Sequence, residues 1–259
     1  MKTQFRLLTL FVCIVCTTKT YSQDGYNYVG IKGGISIPNL TAGGTENPLA
    51  SGYSSRQGPD FAVFFQKGIS EKFSVMAQLE YSSQGGKKNG VQAVPTPPEL
   101  AAVFAQLGLN PPAYVYADFD NEVKLNYLLF SVLGKFSFRL SEESPLSIYA
   151  DAGPFGGYLL SAHTVTSGSS EIYLDEQGQQ SITPGAPVSF DSTVDIKDQL
   201  HTGNFGITGD LGLSFDFGSN RLFIEGGGNY GFVAIQNDPA NGKNHTGAAT
   251  LRIGYAFNF

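Results

Sequence analysis

Thiols, tryptophan and charge are all scarce in this sequence. The 259 residues include two cysteines, Cys13 and Cys16, and no tryptophan. Both cysteines lie in a leader that we predict is removed, so the rest of the chain has no thiol for a disulfide, a thiolate metal site or a cysteine nucleophile. Charged residues make up only 15% of the sequence, whereas about a quarter is usual in soluble domains.

A convincing transmembrane helix is also lacking. Residues 152–170 are uncharged, but Pro154 and four glycines within this stretch oppose a helix. Apolar residues nevertheless make up 41% of the chain, which argues against disorder. Glycine is abundant, at 32 residues, and aromatic residues reach 13%. This composition indicates an all-β chain with one face of its sheet in lipid.

Residues 1–22 have the features of a cleaved secretory signal. Lys2 and Arg6 are followed by an apolar run at 7–18, which is too short to span a bilayer as a helix. Small residues at the −3 and −1 positions predict cleavage after Ser22. The formal net charge of the chain is −6, and it becomes more negative when the basic leader is removed. This charge argues against nucleic-acid binding.

The remaining sequence alternates between apolar and polar residues with a period of two, as β-strands with two different faces do. In 28–37 one face carries Val29, Ile31, Ile35 and Ile37. The same alternation occurs at 73–84, 205–217 and 247–259. Four further strands are predicted at 60–69, 123–138, 146–161 and 222–235. Both faces of 123–138 are apolar, so its orientation stays open.

The connections between these strands alternate in length. Short ones are predicted at 70–72, 139–145 and 218–221, and long ones at 38–57, 86–121, 162–202 and 236–246. Alternating short turns and long loops are typical of outer-membrane barrels, and closure leaves no strand edge unpaired in hydrocarbon. We therefore predict that residues 23–259 form one eight-stranded antiparallel transmembrane up-and-down β-barrel, with short periplasmic turns and long external loops.

Several charged residues lie on the predicted inner face. They are Lys32, Glu80, Asp151, Asp210, Glu225 and Arg252. Charges at membrane depth must pair or meet water, and an eight-stranded barrel is just wide enough to be filled by side chains. We predict a polar plug in which these residues form ion pairs that stabilise the barrel. The alternative is a narrow path that prefers cations.

The second long loop contains a predicted helix. Thr96, Pro97 and Glu99 fit a capping box with proline at the first helical position. Apolar residues follow at helical spacing: Leu100, Val103, Phe104 and Leu107. This face would pack on the rim of the barrel or dock a protein partner.

Signatures of catalysis and of metal or cofactor binding are sparse. His163 lies near Ser161 and Glu171 in the sequence, but nothing fixes the geometry that a Ser–His–acid site requires. The three histidines lack the close spacing of metal ligands. Residues 118–122 (DFDNE) are acidic but do not have the spacing of a calcium loop. They are interpreted as a solvated loop base, with weak binding of divalent cations or lipopolysaccharide as the alternative.

With these features the chain resembles the small outer-membrane β-barrel proteins of the Bacteroidetes type, known as porin family or PorT-like. The segments that carry the resemblance are VGIKGGIS (29–36), MAQLEYSSQGGKK (76–88), LNYLLFSVLGKFSF (125–138), AGPFGGYLLSA (152–162), LFIEGGGNYGFVAI (222–235) and LRIGYAFNF (251–259). The family's Tyr-Leu-Glu-Ile-Pro motif is replaced here by Tyr-Leu-Leu-Phe-Ser at 127–131. The resemblance implies a barrel surrounded by outer-membrane lipid and lipopolysaccharide.

The last strand carries alternating aromatic residues, Tyr255, Phe257 and Phe259. This ending resembles the signal read by the barrel-assembly machinery, and aromatic residues also form girdles at membrane interfaces. The function expected is that of a non-enzymatic anchor or a component of a surface or secretion-related complex. A small cation-preferring pore and a hydrolase at the barrel rim are the alternatives.

Overall fold

The computed structural model describes residues 26–42, 47–106 and 108–259. The strands in this part of the chain are β1 (Asn27–Ala42), β2 (Gly58–Gly68), β3 (Phe73–Lys88), β4 (Val91–Pro95), β5 (Tyr114–Asp118), β6 (Asp120–Arg139), β7 (Leu146–Ser167), β8 (Ser169–Ser170), β9 (Val188–Ser189), β10 (Ser192–Asp195), β11 (Gly203–Phe217), β12 (Asn220–Gly231) and β13 (Asn244–Asn258). Helix α1 (Pro98–Gln106) and two 3₁₀ turns, Lys197–Gln199 and Pro239–Asn241, complete the set. The predicted leader, residues 1–22, lies outside the described residues.

Eight long strands form a closed antiparallel ring in the order β1, β2, β3, β6, β7, β11, β12 and β13. The ring closes because β13 pairs with β1, from Tyr28 opposite Asn258 to Ala42 opposite Asn244. On the other side β6 pairs with β7, with one irregularity in register after Asn126. Every barrel strand thus has two neighbours, as a sheet in hydrocarbon requires. The predicted eight-stranded antiparallel barrel is confirmed.

Short and long connections alternate around the ring. The segments at 69–72, 140–145 and 218–219 are short, and those at 43–57, 89–119, 168–202 and 232–243 are long. The predicted loops begin too early, because β1 continues to Ala42 and β7 to Ser167. These extra residues stay in register with β13 and β6. Backbone pairing therefore continues after the apolar pattern in the sequence has ended.

Side chains alternate between lipid and interior along the barrel strands. Ile31, Leu211 and Ile253 are 61%, 69% and 67% exposed on the outer face. The orientation of β6, which the sequence left open, is resolved: Leu125 and Leu133 are buried inside, while Phe130 faces outward. Both faces of β6 are apolar because its inner residues pack into apolar clusters inside the barrel.

The second and third long loops form additional structure beyond the outer rim. Strands β4 and β5 pair as a hairpin that carries α1 between them, and β8 pairs with β9. Tyr173 bridges the hairpin at Tyr116 and also pairs with Ser181. Strand β10 adds to the extended end of β7. Among the described residues, no helix is long and apolar enough to cross a membrane.

The predicted helix in the second long loop is present, but its start differs from the prediction. Helix α1 begins at Pro98 rather than Pro97. The hydroxyl of Thr96 donates a hydrogen bond to the Pro112 carbonyl at 2.6 Å. Thr96 therefore ties the two arms of the loop together. In the described part of the chain Thr96 accepts no hydrogen bond from the first turn of α1, so the predicted capping box is not formed.

Candidate functional site

A layer of buried charge crosses the interior of the barrel. Each of the eight barrel strands contributes one buried ionisable side chain to it. In strand order these are Lys32, Asp60, Glu80, Lys135, Asp151, Asp210, Glu225 and Arg252. We call this set the charged layer. It includes all six residues of the predicted lumen network, together with Asp60 and Lys135.

Arg252 stands at the centre of the charged layer and is 1% exposed. Its Nη2 atom donates to both carboxylate oxygens of Asp210, at 2.7 and 2.9 Å. Its Nη1 atom donates to Asp60 at 3.2 Å and to Glu80 at 3.0 Å. The Nε atom lies 3.1 Å from Glu225 Oε1. One guanidinium group thus connects four other strands to β13.

Lys32 forms the second cationic contact of the charged layer. Its Nζ atom lies 2.5 Å from Glu225 Oε1 and 3.8 Å from Asp210 Oδ2. The other oxygen of Glu225 accepts a hydrogen bond from the Tyr149 hydroxyl at 2.8 Å. Burial of an ion pair costs desolvation free energy that only good geometry and added hydrogen bonds offset. Glu225 meets this condition on both of its oxygens.

Asp151 differs from the prediction, because it forms no ion pair with the described residues. It is 5% exposed, and both carboxylate oxygens accept no hydrogen bond from the described part of the chain. Its cross-strand neighbour Lys135 directs its Nζ atom onto the Tyr149 ring, 3.4 Å from the centroid. A cation over an aromatic face is stabilised by the ring quadrupole, so the lysine does not pair directly with Asp151.

The sequence pattern alone did not assign Asp60, Lys135 and Tyr149 to the site. Asp60 precedes the apolar residues of β2 and shares the inward parity of Ala62 and Phe64. Lys135 shares the inward parity of Leu133, on a strand whose two faces looked alike in the sequence. Parity on its own therefore carried a signal for both residues. The role of Tyr149 required its distance to Glu225.

A glycine makes room for the charged layer. Gly227 lies opposite Asp210 in the pairing of β11 with β12. A Cβ atom at Gly227 would collide with Asp210 Oδ1 and with the backbone carbonyl of Gly209. Because the Gly209 carbonyl belongs to the backbone, this contact cannot be relieved by a side-chain rotation. Gly227 thus allows the Asp210 carboxylate to reach Arg252.

Two apolar clusters enclose the charged layer along the barrel axis. The periplasmic cluster consists of Tyr28, Phe64, Met76, Leu133, Tyr149, Phe223 and Ala256. The outer cluster consists of Leu40, Val123, Leu125, Tyr127, Leu129, Phe155, Leu159, Ala162, Leu200 and Ile235. On β1 the inward order runs from Tyr28 through Lys32 to Leu40. The sequence predicted a polar plug, and the charged layer with its buried serine, glutamine and threonine neighbours has that character, but the sequence did not predict the apolar clusters on either side of it.

At the outer rim, an ion pair fixes the first long loop. Arg56 Nε donates to Glu122 Oε1 at 2.6 Å, and Lys124 lies 3.1 Å from Glu122 Oε2. Glu122 lies outside the apolar band of β6, which begins at Leu128. Partial burial raises the pKa of the Glu122 carboxyl, but hydrogen bonds from Arg56 and Lys124 outweigh it and hold the pKa below its ordinary value.

The acidic segment at 118–122 does not act as one group. Glu122 is held by Arg56, and Asn121 donates to Gln92 at 3.5 Å. The backbone N–H of Asp118 donates to the Ser170 hydroxyl at 3.0 Å. These residues therefore stabilise contacts between loops.

The residues considered for a hydrolase site have other partners. The Ser161 hydroxyl accepts a hydrogen bond from Asn126 at 3.0 Å. Glu171 accepts one from the Gly185 backbone at 2.7 Å, and the Ser181 hydroxyl, followed by this backbone contact, lowers the pKa of Glu171. His163 lies on β7 opposite Lys124 and Asp195.

Helix α1 lies at the end of the β4–β5 hairpin and has no buried residue. Val103 is 49% exposed, and Leu100 and Phe104 are half-buried. Leu107, the fourth residue of the predicted docking face, lies outside the described residues.

The end of β13 lies at the rim with the short turns. Tyr255, Phe257 and Phe259 face outward and are 41%, 44% and 66% exposed. The Phe259 backbone N–H donates to the Asn27 carbonyl at 3.1 Å. Phe65 contacts Phe259, with ring centroids 6.4 Å apart. The three residues thus belong to an aromatic belt and to the seam of the barrel.

Comparison of the sequence with protein families gives one match. The profile described as outer membrane protein beta-barrel domain matches residues 21–237. No curated protein sequence matches the chain significantly.

Several solved outer-membrane proteins are similar to this chain at low sequence identity. Neisserial surface protein A matches with a TM-score of 0.41 and 13% identity, over 92% of this chain and 100% of that chain. Ail, the attachment invasion locus protein of Yersinia pestis, matches with a TM-score of 0.37 and 13% identity, over 89% and 99%. OprG from Pseudomonas aeruginosa matches with a TM-score of 0.34 and 9% identity, over 90% and 96%.

Proposed function

Because the chain belongs to the outer membrane protein beta-barrel domain family, and so resides among the lipid and lipopolysaccharide of a Gram-negative outer membrane, we propose that it is a non-enzymatic anchor. Its barrel would hold the external loops in place and present them to a protein partner. A role in a surface or secretion-related complex fits this arrangement.

The filled interior is the observation that carries the proposal. The charged layer lies between the periplasmic and outer apolar clusters. Residues in all three regions, such as Met76, Arg252 and Leu125, are at most 2% exposed. An eight-stranded barrel filled in this way offers little space for a solute, but it can hold its external loops in fixed positions. Function is therefore best assigned to the surface beyond the rim.

The external loops supply a suitable surface. Several apolar side chains there are well exposed: Val103, Leu109, Leu174, Val188 and Val194. Exposed apolar side chains that lie outside the lipid-facing band indicate contact with another molecule when they cluster. Val103 lies on α1 and Leu109 follows its end, both on the second long loop.

A crosslinking experiment in native outer membranes tests this function. We expect a stoichiometric partner to be recovered with the wild-type chain. Its recovery should fall about tenfold with Val103→Ser, because loss of an anchoring side chain costs roughly 1.4 kcal/mol or more. Ile69→Ser, a change at an exposed apolar residue of the short turn on the opposite rim, is the control and should retain the partner. Equal recovery from all three proteins, or no partner from any, would contradict the proposal.

The hydrolase alternative receives less support from the contacts described above. Ser161 and Glu171 are engaged by Asn126 and Gly185 rather than by His163. If the rim were catalytic, His163→Ala would abolish hydrolysis of lipid or peptide substrates by purified protein. We expect no substrate turnover that depends on His163.

Two finer assignments belong to the same proposal. The segments at 29–36 and 125–138 support placement among the PorT-like, Bacteroidetes-type barrels. The outward aromatic residues Tyr255, Phe257 and Phe259 support recognition of β13 by the barrel-assembly machinery during biogenesis.

A further inference from the structure

Three carboxylates in the charged layer lie close enough to share one cation. One oxygen from each of Asp151, Asp210 and Glu225 lies within 4.8 Å of the other two. All three residues are buried, at 5%, 3% and 3% exposure. We propose that these residues form a binding site for one divalent cation, Ca²⁺, inside the barrel.

The first argument is the balance of charge. The charged layer holds five carboxylates, on Asp60, Glu80, Asp151, Asp210 and Glu225, and three cationic groups, on Lys32, Lys135 and Arg252. It therefore has an excess of two negative charges. Uncompensated charge in a low-dielectric interior is costly. One divalent cation balances the layer.

The second argument is the state of Asp151. Its two oxygens accept no hydrogen bond from the described residues, although the side chain is buried. A buried carboxylate without partners is unfavourable unless another group satisfies it. Lys135, the lysine nearest in the pairing of the strands, is held over the Tyr149 ring. Asp151 therefore has both oxygens available to a cation.

The other two carboxylates are already positioned by the protein. Asp210 is held by both its oxygens to Arg252, and Glu225 is held by Lys32 and Tyr149. An ionised carboxylate has about four lone-pair sites, so each of them keeps acceptor capacity after these contacts. Protein contacts that orient ligand groups in this way are typical of metal sites.

The chemistry favours calcium over magnesium. Carboxylate oxygens suit both ions, but Mg²⁺ demands octahedral geometry and keeps several waters. Ca²⁺ accepts irregular oxygen sets at about 2.3–2.6 Å, so two ligands on opposite sides of it lie roughly 4.8 Å apart. The apolar clusters on both sides of the charged layer restrict hydration of the site. The same clusters would make exchange slow, so the ion should enter when the barrel assembles.

Refolding with defined metals tests the proposal. The purified full chain is unfolded in EDTA, refolded in detergent with Ca²⁺, Mg²⁺ or EDTA alone, and washed with EDTA before metal analysis. We expect about one Ca²⁺ per wild-type chain after the wash and less than about a tenth of that in Asp151→Asn. Asp216→Asn is the matched control, because Asp216 pairs with Arg221 outside the charged layer. It should retain the ion.

A second measurement does not depend on the folding of Asp151→Asn. Terbium, which replaces calcium, emits when a nearby tyrosine is excited, and the hydroxyl of Tyr149 contacts Glu225. Sensitised emission from EDTA-washed protein should fall severalfold in Tyr149→Phe at equal terbium content. Wild-type protein that retains no calcium would overturn the proposal and assign the excess charge to bound protons. Equal loss of calcium in Asp216→Asn, or unchanged emission in Tyr149→Phe, would also overturn it.

Discussion

At the residue scale, the interior depends most on Arg252, which contacts four carboxylates. Arg252→Met should destabilise the barrel by about 3–5 kcal/mol, because it leaves buried carboxylates without their partner. The midpoint of urea unfolding of the refolded barrel, followed by heat-modifiable mobility, measures this loss.

A second arginine provides the control for this substitution. Within residues 26–42, 47–106 and 108–259, Arg221 contacts a single carboxylate, that of Asp216, whose side chain is 25% exposed. Arg221→Met should therefore shift the midpoint much less. Equal shifts for the two variants would show that the contacts of Arg252 in the charged layer stabilise the barrel no more than the contact between Arg221 and Asp216 does.

The contact between Arg56 and Glu122 gives a pH dependence at the outer rim. The folded-state pKa of Glu122 is lowered, so this contribution is complete above the unfolded value of about 4.3 and is lost as pH falls through the folded pKa. The backbone N–H of Arg56, which donates to the Pro38 carbonyl, should lose hydrogen-exchange protection in that acidic range.

Substitution of the glutamate isolates this effect. Glu122→Gln should reduce the protection of Arg56 at neutral pH and remove most of its pH dependence. Glu99→Gln, a change at an exposed glutamate on α1, should leave both unchanged. Protection that falls with pH to the same extent in Glu122→Gln would contradict the assignment.

Single residues of the site were partly predictable from the sequence. Strand parity placed Lys32, Glu80 and Arg252 inside, because their neighbours in sequence are clearly lipid-facing. It did not show which cation meets which carboxylate, since that depends on the stagger between strands that are far apart in sequence. Asp151 is excluded from the ion pairs because the Tyr149 ring holds Lys135. The position of this ring cannot be predicted from the local sequence.

At the element scale, β13 combines a lipid-facing aromatic edge with the seam of the ring. Deletion of Phe259 should lower the amount of assembled barrel in the outer membrane, because it removes the terminal aromatic residue and the backbone contact to Asn27. Heat-modifiable mobility of the membrane fraction measures assembly. Phe217→Ala, at an outward aromatic residue of β11 with 40% exposure, is the control and should assemble normally. A loss of the same size in the control would assign the effect to the aromatic belt in general.

Strand identities were predictable because the lipid-facing residues alternate without interruption, as in 205–217 and 247–259. The ends of the strands were less predictable, since β1 and β7 continue in register beyond the lipid-facing apolar residues. The start of α1 was missed by one residue, because the contact of Thr96 with the Pro112 carbonyl joins residues 16 positions apart and cannot be read from a local motif.

At the scale of the whole molecule, the filled interior predicts that the barrel does not conduct ions. Purified protein in planar bilayers should show no stable conductance steps above leak, because two apolar clusters and the charged layer occupy the interior. Single-channel recording at about 1 M salt, where surface charge is screened, measures this. Reproducible steps selective for cations would favour the small pore over the anchor.

The global fold was predictable from composition and the lengths of the connections, because a lipid-facing sheet must close. The layering of the interior was not. The sequence predicted an ion-paired polar plug but left the faces of β6 unassigned, and the inner residues of this strand, such as Leu125 and Leu133, are apolar and fully buried. An inward and an outward leucine are the same residue in a sequence. The inward leucines of β6 are distinguished by the side chains of β7 and of the external loops that pack against them.

The pairing of β1 with β13 also determines when the barrel can close. Tyr28 finds its partner Asn258 only after almost the whole polypeptide has been synthesised. Until then β1 lacks one neighbour, and an unpaired strand edge invites association with other chains. Contacts between such distant segments form slowly. Delayed insertion should therefore increase the aggregated fraction of this protein, because the edge of β1 stays open to other chains until β13 is available.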